Sequence, residues 1–191
     1  MIINHTGKYI FIAIPKTAST TVHMAWGHTI HPPPPEYHMR LYECLEQNRQ
    51  CLDYFKFCFV RNPYERFAST WFNLIDPRAG HVWATDLLKF KDMEDFCDNF
   101  LDSEFCEWVH FRKQIEYVMV NEKVGMDFIG RQENFYQDFN KACEMIGVSM
   151  PSTGHFRPSR RPPLNEVMTE KMKEIIYTFY KSDFDQFNYE K

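Results

Sequence analysis

The apolar positions of this chain fall into runs of two kinds. Two short, nearly continuous ones, "KYIFIAI" (residues 8–14) and "YFKFCFV" (residues 54–60), are rich in β-branched and aromatic residues and predict buried strands. The longer runs space their apolar residues by three and four and predict helices. "ASTTVHMAW" opens with small hydroxyl residues, as a helix start does, and sets Val22, Ala25 and Trp26 behind them. Residues 39–52 offer Leu41, Cys44, Leu45 and Leu52, and "YERFASTWFNLI" follows the second strand with Pro63 at its first turn. Between these segments four consecutive prolines predict an extended connection, since they fit neither a helix interior nor a central strand.

Further along, "MEDFCDNFL" and "EFCEWVHFRKQIEYV" predict aromatic-rich helices within an otherwise irregular stretch, residues 76–125. A short strand at 127–129 leads into a helix that Gly147 can cap. Residues 149–163 form a proline- and arginine-rich loop, and "TEKMKEIIYTFYKSDFDQFNY" closes the chain as an amphipathic helix. Strands alternating with helices imply an α/β fold, a three-layer α/β/α arrangement on a central parallel sheet. With neither internal repeats nor a long linker, residues 1–191 are expected to form a single domain. Phe96, Phe100, Phe105, Trp108, Phe135, Phe139, Phe179 and Phe184 have the spacing of core residues. Trp71 and Trp83 could instead present faces to a sugar or an adenine.

Composition changes this picture only by exclusion. A net charge of −4 gives no global basic field, which argues against an electrostatic nucleic-acid binder but not against a local anion site. The six cysteines form no C-x-x-C pair and have no zinc-finger histidine spacing, so they are expected to be reduced and mostly buried thiols. No apolar run approaches the ~20 residues of a membrane span. The N-terminal segment also lacks a basic leader, and a soluble, cytoplasmic protein is expected.

The chemistry concentrates where the two strands end. After "YIFIAI" comes "PKTASTT": a lysine and a series of hydroxyls at a strand-to-helix turn, where unpaired backbone N–H groups favour an anion. This is phosphate-loop chemistry without the glycines of G-x-x-x-x-G-K-[ST]. The plainer alternative is a helix cap that contains a lysine. At the second strand end stands Arg61, with Ser69 eight residues on, about two helical turns along. An arginine at that place could hold a second phosphate bidentately, or simply pair with a surface carboxylate.

Taken together, "IFIAIPKTASTT" and "FKFCFVRNPYERFASTWF" resemble the 5′-phosphosulfate loop and the 3′-phosphate segment (R-N-P-x-x-R-x-x-S) of sulfotransferases. The similarity is to the carbohydrate branch, heparan sulfate 2-O-sulfotransferases and short bacterial or viral relatives among them. It continues through "DFIGRQENFYQDFNKACEMIG" and "GHFRPSRRPP…FYKSDFDQFNY". The resemblance implies a P-loop-like fold that uses 3′-phosphoadenosine 5′-phosphosulfate (PAPS) as donor, a hydroxyl acceptor on a glycan, and no metal. It implies Lys16 at the bridging oxygen of the leaving group, with Pro15, Thr17, Ala18, Ser19, Thr20 and Thr21 around the 5′-phosphate. Arg61, Ser69, Ser159 and Arg160 would take the 3′-phosphate. The chain departs from the family at Arg157, near which an asparagine is more usual.

Transfer to a hydroxyl requires a group that removes its proton. His38 is the candidate: it begins the helix ahead of the second cofactor strand, and the related 2-O-sulfotransferases carry a histidine at a similar place. A histidine with the ordinary pKa of ~6.5 can accept a proton at neutral pH. His31 and Glu36 are the substitutes, and His23 reads as a packed core residue. Two other functions stay open at this point. One is a nucleotide or small-molecule kinase, which would need a glycine-rich loop and a magnesium-binding acid; the other is a non-catalytic protein that binds adenosine 3′,5′-bisphosphate.

Overall fold

The computed structural model describes residues 1–28, 37–152 and 161–191, and of Val82 and Trp83 the backbone alone. The strands are β1 (Ile2–Asn4), β2 (Tyr9–Ile12), β3 (Phe55–Val60), β4 (Met119–Val120), β5 (Lys123–Val124) and β6 (Phe128–Arg131). The helices are α1 (Ser19–Ala25), α2 (Leu41–Gln47), α3 (Pro63–Leu74), α4 (Met93–Phe100), α5 (Ile115–Val118), α6 (Phe135–Met145), α7 (Leu164–Val167) and α8 (Glu170–Phe187). They divide into two compact units, Met1–Arg61 with Gln114–Arg157, and Asn62–Lys113 with Pro158–Lys191.

The first unit holds the sheet, in the order β1-β2-β3-β6. β2 pairs in parallel with β3 and β3 with β6, the last partners being Ile12 with Cys58 and Val60 with Arg131. Successive side chains of a strand point to opposite faces. Phe11, Ala13, Phe57 and Phe59 accordingly pack with Val22 of α1 and with Phe135, Phe139, Ala142 and Cys143 of α6. Ile10, Ile12, Cys58 and Val60, which face the other way, are as fully buried. Burial on both faces is why these strands read as unbroken apolar runs. Gly130 is required by close approach: a Cβ there would stand 2.5 Å from the Phe59 ring.

The second unit is helical. Its core is an aromatic cluster in which Phe67 and Trp71 of α3 meet Phe96 and Phe100 of α4, joined by Phe105, Phe111 and, from α8, Tyr180 and Phe184. The Trp71 ring stacks on Phe96 at 4.8 Å and is 3% exposed. Trp71 is therefore core, which corrects its reading as a stacking face for a ligand. Trp83 falls outside the described side chains.

Several sequence expectations need correction. The sheet is not wholly parallel, because β1 adds an antiparallel edge strand against β2. Three residues are too few for a periodic signal. The helix expected over 39–52 stops at Gln47, where the Asn48 side chain donates to the Cys44 carbonyl. The Asn48 N–H donates to the same carbonyl at 3.0 Å, and at Asn48 the backbone leaves the helix with φ −130° and ψ 60°. The helix expected across "EFCEWVHFRKQIEYV" is only a 3-10 turn at Glu104–Glu107 and the four residues of α5. Trp108 is extended, which lets both Phe105 and Phe111 enter the aromatic cluster. β4 and β5 form a hairpin turned by Asn121 and Glu122, both with positive φ, a connection that sequence spacing did not announce.

Candidate functional site

The turn after β2 is built without glycine yet adopts glycine-like geometry. Lys16 (φ 66°) and Ala18 (φ 68°) are left-handed on either side of Thr17, whose φ is negative. Such alternation turns successive backbone N–H groups toward one concavity, the arrangement of an anion nest. The strain of two non-glycine residues at positive φ is of the kind found where the backbone has a task. α1 begins with no side-chain cap, Ala18 supplying only its carbonyl to Thr21 and Val22.

Burial alternates along the loop. Pro15, Thr17, Ser19 and Thr21 are buried, whereas Lys16, Ala18 and Thr20 are half-buried. Thr17 donates its hydroxyl proton to the Ile14 carbonyl at 2.9 Å and is wholly buried. What Thr17 can offer an anion is thus its backbone N–H, while its hydroxyl holds the loop closed.

His38 lies against this loop. Its Nδ1 is 2.6 Å from the carbonyl oxygen of Ala13, the residue after β2 has ended. A carbonyl only accepts, so Nδ1 carries the proton, and in the neutral ring Nε2 bears the lone pair. The Tyr37 ring meets the His38 ring edge-on at 4.5 Å, and on its other side Tyr37 packs on His23. His23 is 4% exposed, and burial, followed by neighbouring positive charge that includes His28 and His38, lowers its pKa to about 3. A neutral, packed His23 is what the sequence suggested. His31 and Glu36, the substitutes for the base, fall outside the described residues.

Arg61 follows β3 directly. β2 and β3 are parallel neighbours, so the lysine loop and Arg61 leave the sheet at the same carboxyl edge, where open α/β sheets place their ligands. The Arg61 guanidinium donates from Nη1 to the Lys16 carbonyl at 3.4 Å. Its backbone is held by Gln114: the Arg61 N–H donates to Oε1 at 2.9 Å, and Nε2 donates to the Arg61 carbonyl at 2.8 Å. Gln114 is wholly buried and 53 residues away in sequence. No motif or spacing pointed to it.

In the second unit, Asn62 caps α3 by accepting from the N–H groups of Tyr64 (3.0 Å) and Glu65 (3.3 Å), with Pro63 next in line. The sequence pointed only to Pro63 at the first turn, and the Asn62 cap itself was not read from it. Ser69 sits in α3 and is 3% exposed. Beside it Arg66 is wholly enclosed, donating to the Arg112 carbonyl and lying 5.5 Å over the Tyr180 ring. Arg161 pairs with Glu65 of α3. Ser159, Arg160 and Arg157 fall outside the described residues.

Five of the six cysteines are buried and none is bonded to another. Burial raises Cys44 and Cys143 to about 11 and Cys97 to about 12, which keeps them as unreactive thiols. Among the described residues no three His, Cys, Asp or Glu side chains gather as metal ligands, and no helix is long and apolar enough to cross a membrane.

Adjacent parallel strands that carry a lysine loop and an arginine at one carboxyl edge define an α/β protein of the P-loop-like class. Residues 1–190 match the sulfotransferase family, and the chain belongs to it. Sulfuryl transfer is the chemistry that this membership supports. Comparison with curated proteins finds no match, and comparison with solved structures finds none.

Proposed function

We propose that this protein transfers the sulfuryl group of PAPS to a carbohydrate hydroxyl, in the manner of the heparan sulfate 2-O-sulfotransferase branch. The observation that carries the reading is the bond from His38 Nδ1–H to Ala13, which sets a basic Nε2 beside the loop that contains Lys16. In this reading His38 Nε2 takes the acceptor's hydroxyl proton as the oxygen attacks sulfur. The bond from sulfur to the bridging oxygen breaks, and Lys16 stabilises the negative charge left on that oxygen. Backbone N–H groups of the loop at Lys16–Thr21 hold the 5′-phosphate, with Pro15 setting the turn. Arg61, Ser69, Ser159 and Arg160 select the 3′-phosphate. The products are a sulfate ester and adenosine 3′,5′-bisphosphate. No step calls for a metal.

The family match over residues 1–190 favours reading residues 1–191 as one functional domain. Six unpaired cysteines fit a cytoplasmic setting. Calorimetric titration tests the donor: adenosine 3′,5′-bisphosphate should bind clearly more tightly than ADP, and equal or absent binding overturns the PAPS reading. Labelled PAPS with a panel of glycans then tests the acceptor. Sulfation of a phenol or an amine in preference to every glycan would overturn the carbohydrate assignment.

A further inference from the structure

The residue after a parallel strand usually leaves the ladder with its backbone groups turned to solvent or to a ligand. Arg61 does neither. β3 makes its last pairings through Cys58 on one side and Val60 on the other, so neither neighbouring strand pairs with Arg61. The Gln114 amide meets both of its backbone groups, accepting from the N–H at 2.9 Å and donating to the carbonyl at 2.8 Å. One planar group making two bonds of opposite polarity to one residue acts as a side-chain substitute for a strand partner.

We infer that Gln114 is a positioning residue for Arg61, and through Arg61 for discrimination of the 3′-phosphate; this rests on the PAPS reading above. A backbone held at both its N–H and its C=O fixes the direction in which the side chain departs. The guanidinium then reaches the lysine loop, bonding the Lys16 carbonyl. Packing alone does not explain a glutamine here, because a leucine or methionine would fill the same enclosed space without a polar head to satisfy. Gln114 is itself anchored. Its carbonyl accepts from Tyr117 N–H at 3.0 Å, and Tyr117 and Val118 are wholly buried. Part of cofactor selectivity therefore lies in the 76–125 stretch, which has no readable motif.

The test compares adenosine 3′,5′-bisphosphate with adenosine 5′-phosphate, which lacks the 3′-phosphate, on wild type, Gln114→Leu and Gln114→Glu. Gln114→Glu keeps the shape and the acceptor for the Arg61 N–H, so it can be read even if Gln114→Leu does not fold. The expected result is that the dissociation constant for adenosine 3′,5′-bisphosphate rises by about tenfold or more, while that for adenosine 5′-phosphate stays at the wild-type value, so that the preference for the bisphosphate shrinks. Loss of both ligands in equal proportion would mean a merely structural role and would overturn the inference, as would an unchanged ratio. A wild-type protein with no preference for the bisphosphate would instead overturn the PAPS reading beneath it.

Discussion

Two strand-to-helix junctions lie at the carboxyl ends of β2 and β3, and they are built differently. Between β2 and α1 the chain uses residues 13–18, holds Lys16 and Ala18 at positive φ, and provides no side-chain cap. Between β3 and α3 only Arg61 and Asn62 intervene. Gln114 takes both backbone groups of Arg61, and Asn62 accepts from the N–H groups of Tyr64 and Glu65. The first junction has the alternating backbone conformation that turns successive N–H groups toward one side. The second consumes the backbone groups of Arg61 inside the protein and offers a side chain instead. Backbone donors suit an anion that must be wrapped, and a rigidly mounted arginine suits one that must be told from its analogues.

The largest expected effect tests the group that hangs on the first junction. His38→Ala should lower the rate of sulfuryl transfer by about 10²–10⁴-fold while titration with adenosine 3′,5′-bisphosphate stays unchanged. Near-normal turnover would remove His38 from the base role and return attention to His31 and Glu36.

A smaller effect concerns the buried side of α1. The pKa of His23 is lowered in the folded protein to about 3, so below its unfolded value of ~6.5 the unfolded chain binds the extra proton. Stability should therefore fall as pH drops from ~6.5 toward 3, by up to about 1.4 kcal/mol per pH unit from this group. In His23→Phe, thermal melts across that range should show a flatter slope. An equal slope would assign the acid sensitivity to other groups.

The smallest effects distinguish the junctions directly and have opposite signs. Asn62→Ala removes the α3 cap and should cost about 1 kcal/mol, a fall in Tm of roughly 2–4 °C. Ala18→Gly relieves a left-handed residue and should gain about 0.5–1 kcal/mol after the extra freedom of glycine in the unfolded chain is counted. Denaturant unfolding of both variants measures the contrast. A loss in Ala18→Gly would show that the first junction is not strained.

Reading the chain alone recovered β2, β3 and most of α3, α6 and α8, because each buries a regular face and leaves a period of two or 3.6 in the residues. β1 and the β4–β5 hairpin escaped because two or three residues leave no period. The stretch around Trp108 misled for a different reason. Its aromatic spacing looked helical, yet Phe105 and Phe111 reach the core from an extended turn. Of the candidate site, Lys16, Thr17 and Arg61 stood out as residue types at strand ends, whereas His38 was picked out only by its likeness to the histidine of the 2-O-sulfotransferases. The left-handed turn was not legible, since alanine and lysine give no sign of positive φ.

What the amino-acid order determines is thus local: which segments bury a face, where they stop, and which charged and hydroxyl groups stand at those stops. The same order, matched over residues 1–190, is enough to place the chain in the sulfotransferase family. Tertiary structure alone decided that His38 bonds Ala13 across 25 residues and that Gln114 closes the backbone of Arg61 across 53. Those bonds depend on segments far apart in the chain arriving within hydrogen-bond distance, and a buried amide or imidazole chooses its partner by geometry that has no periodic trace in the sequence.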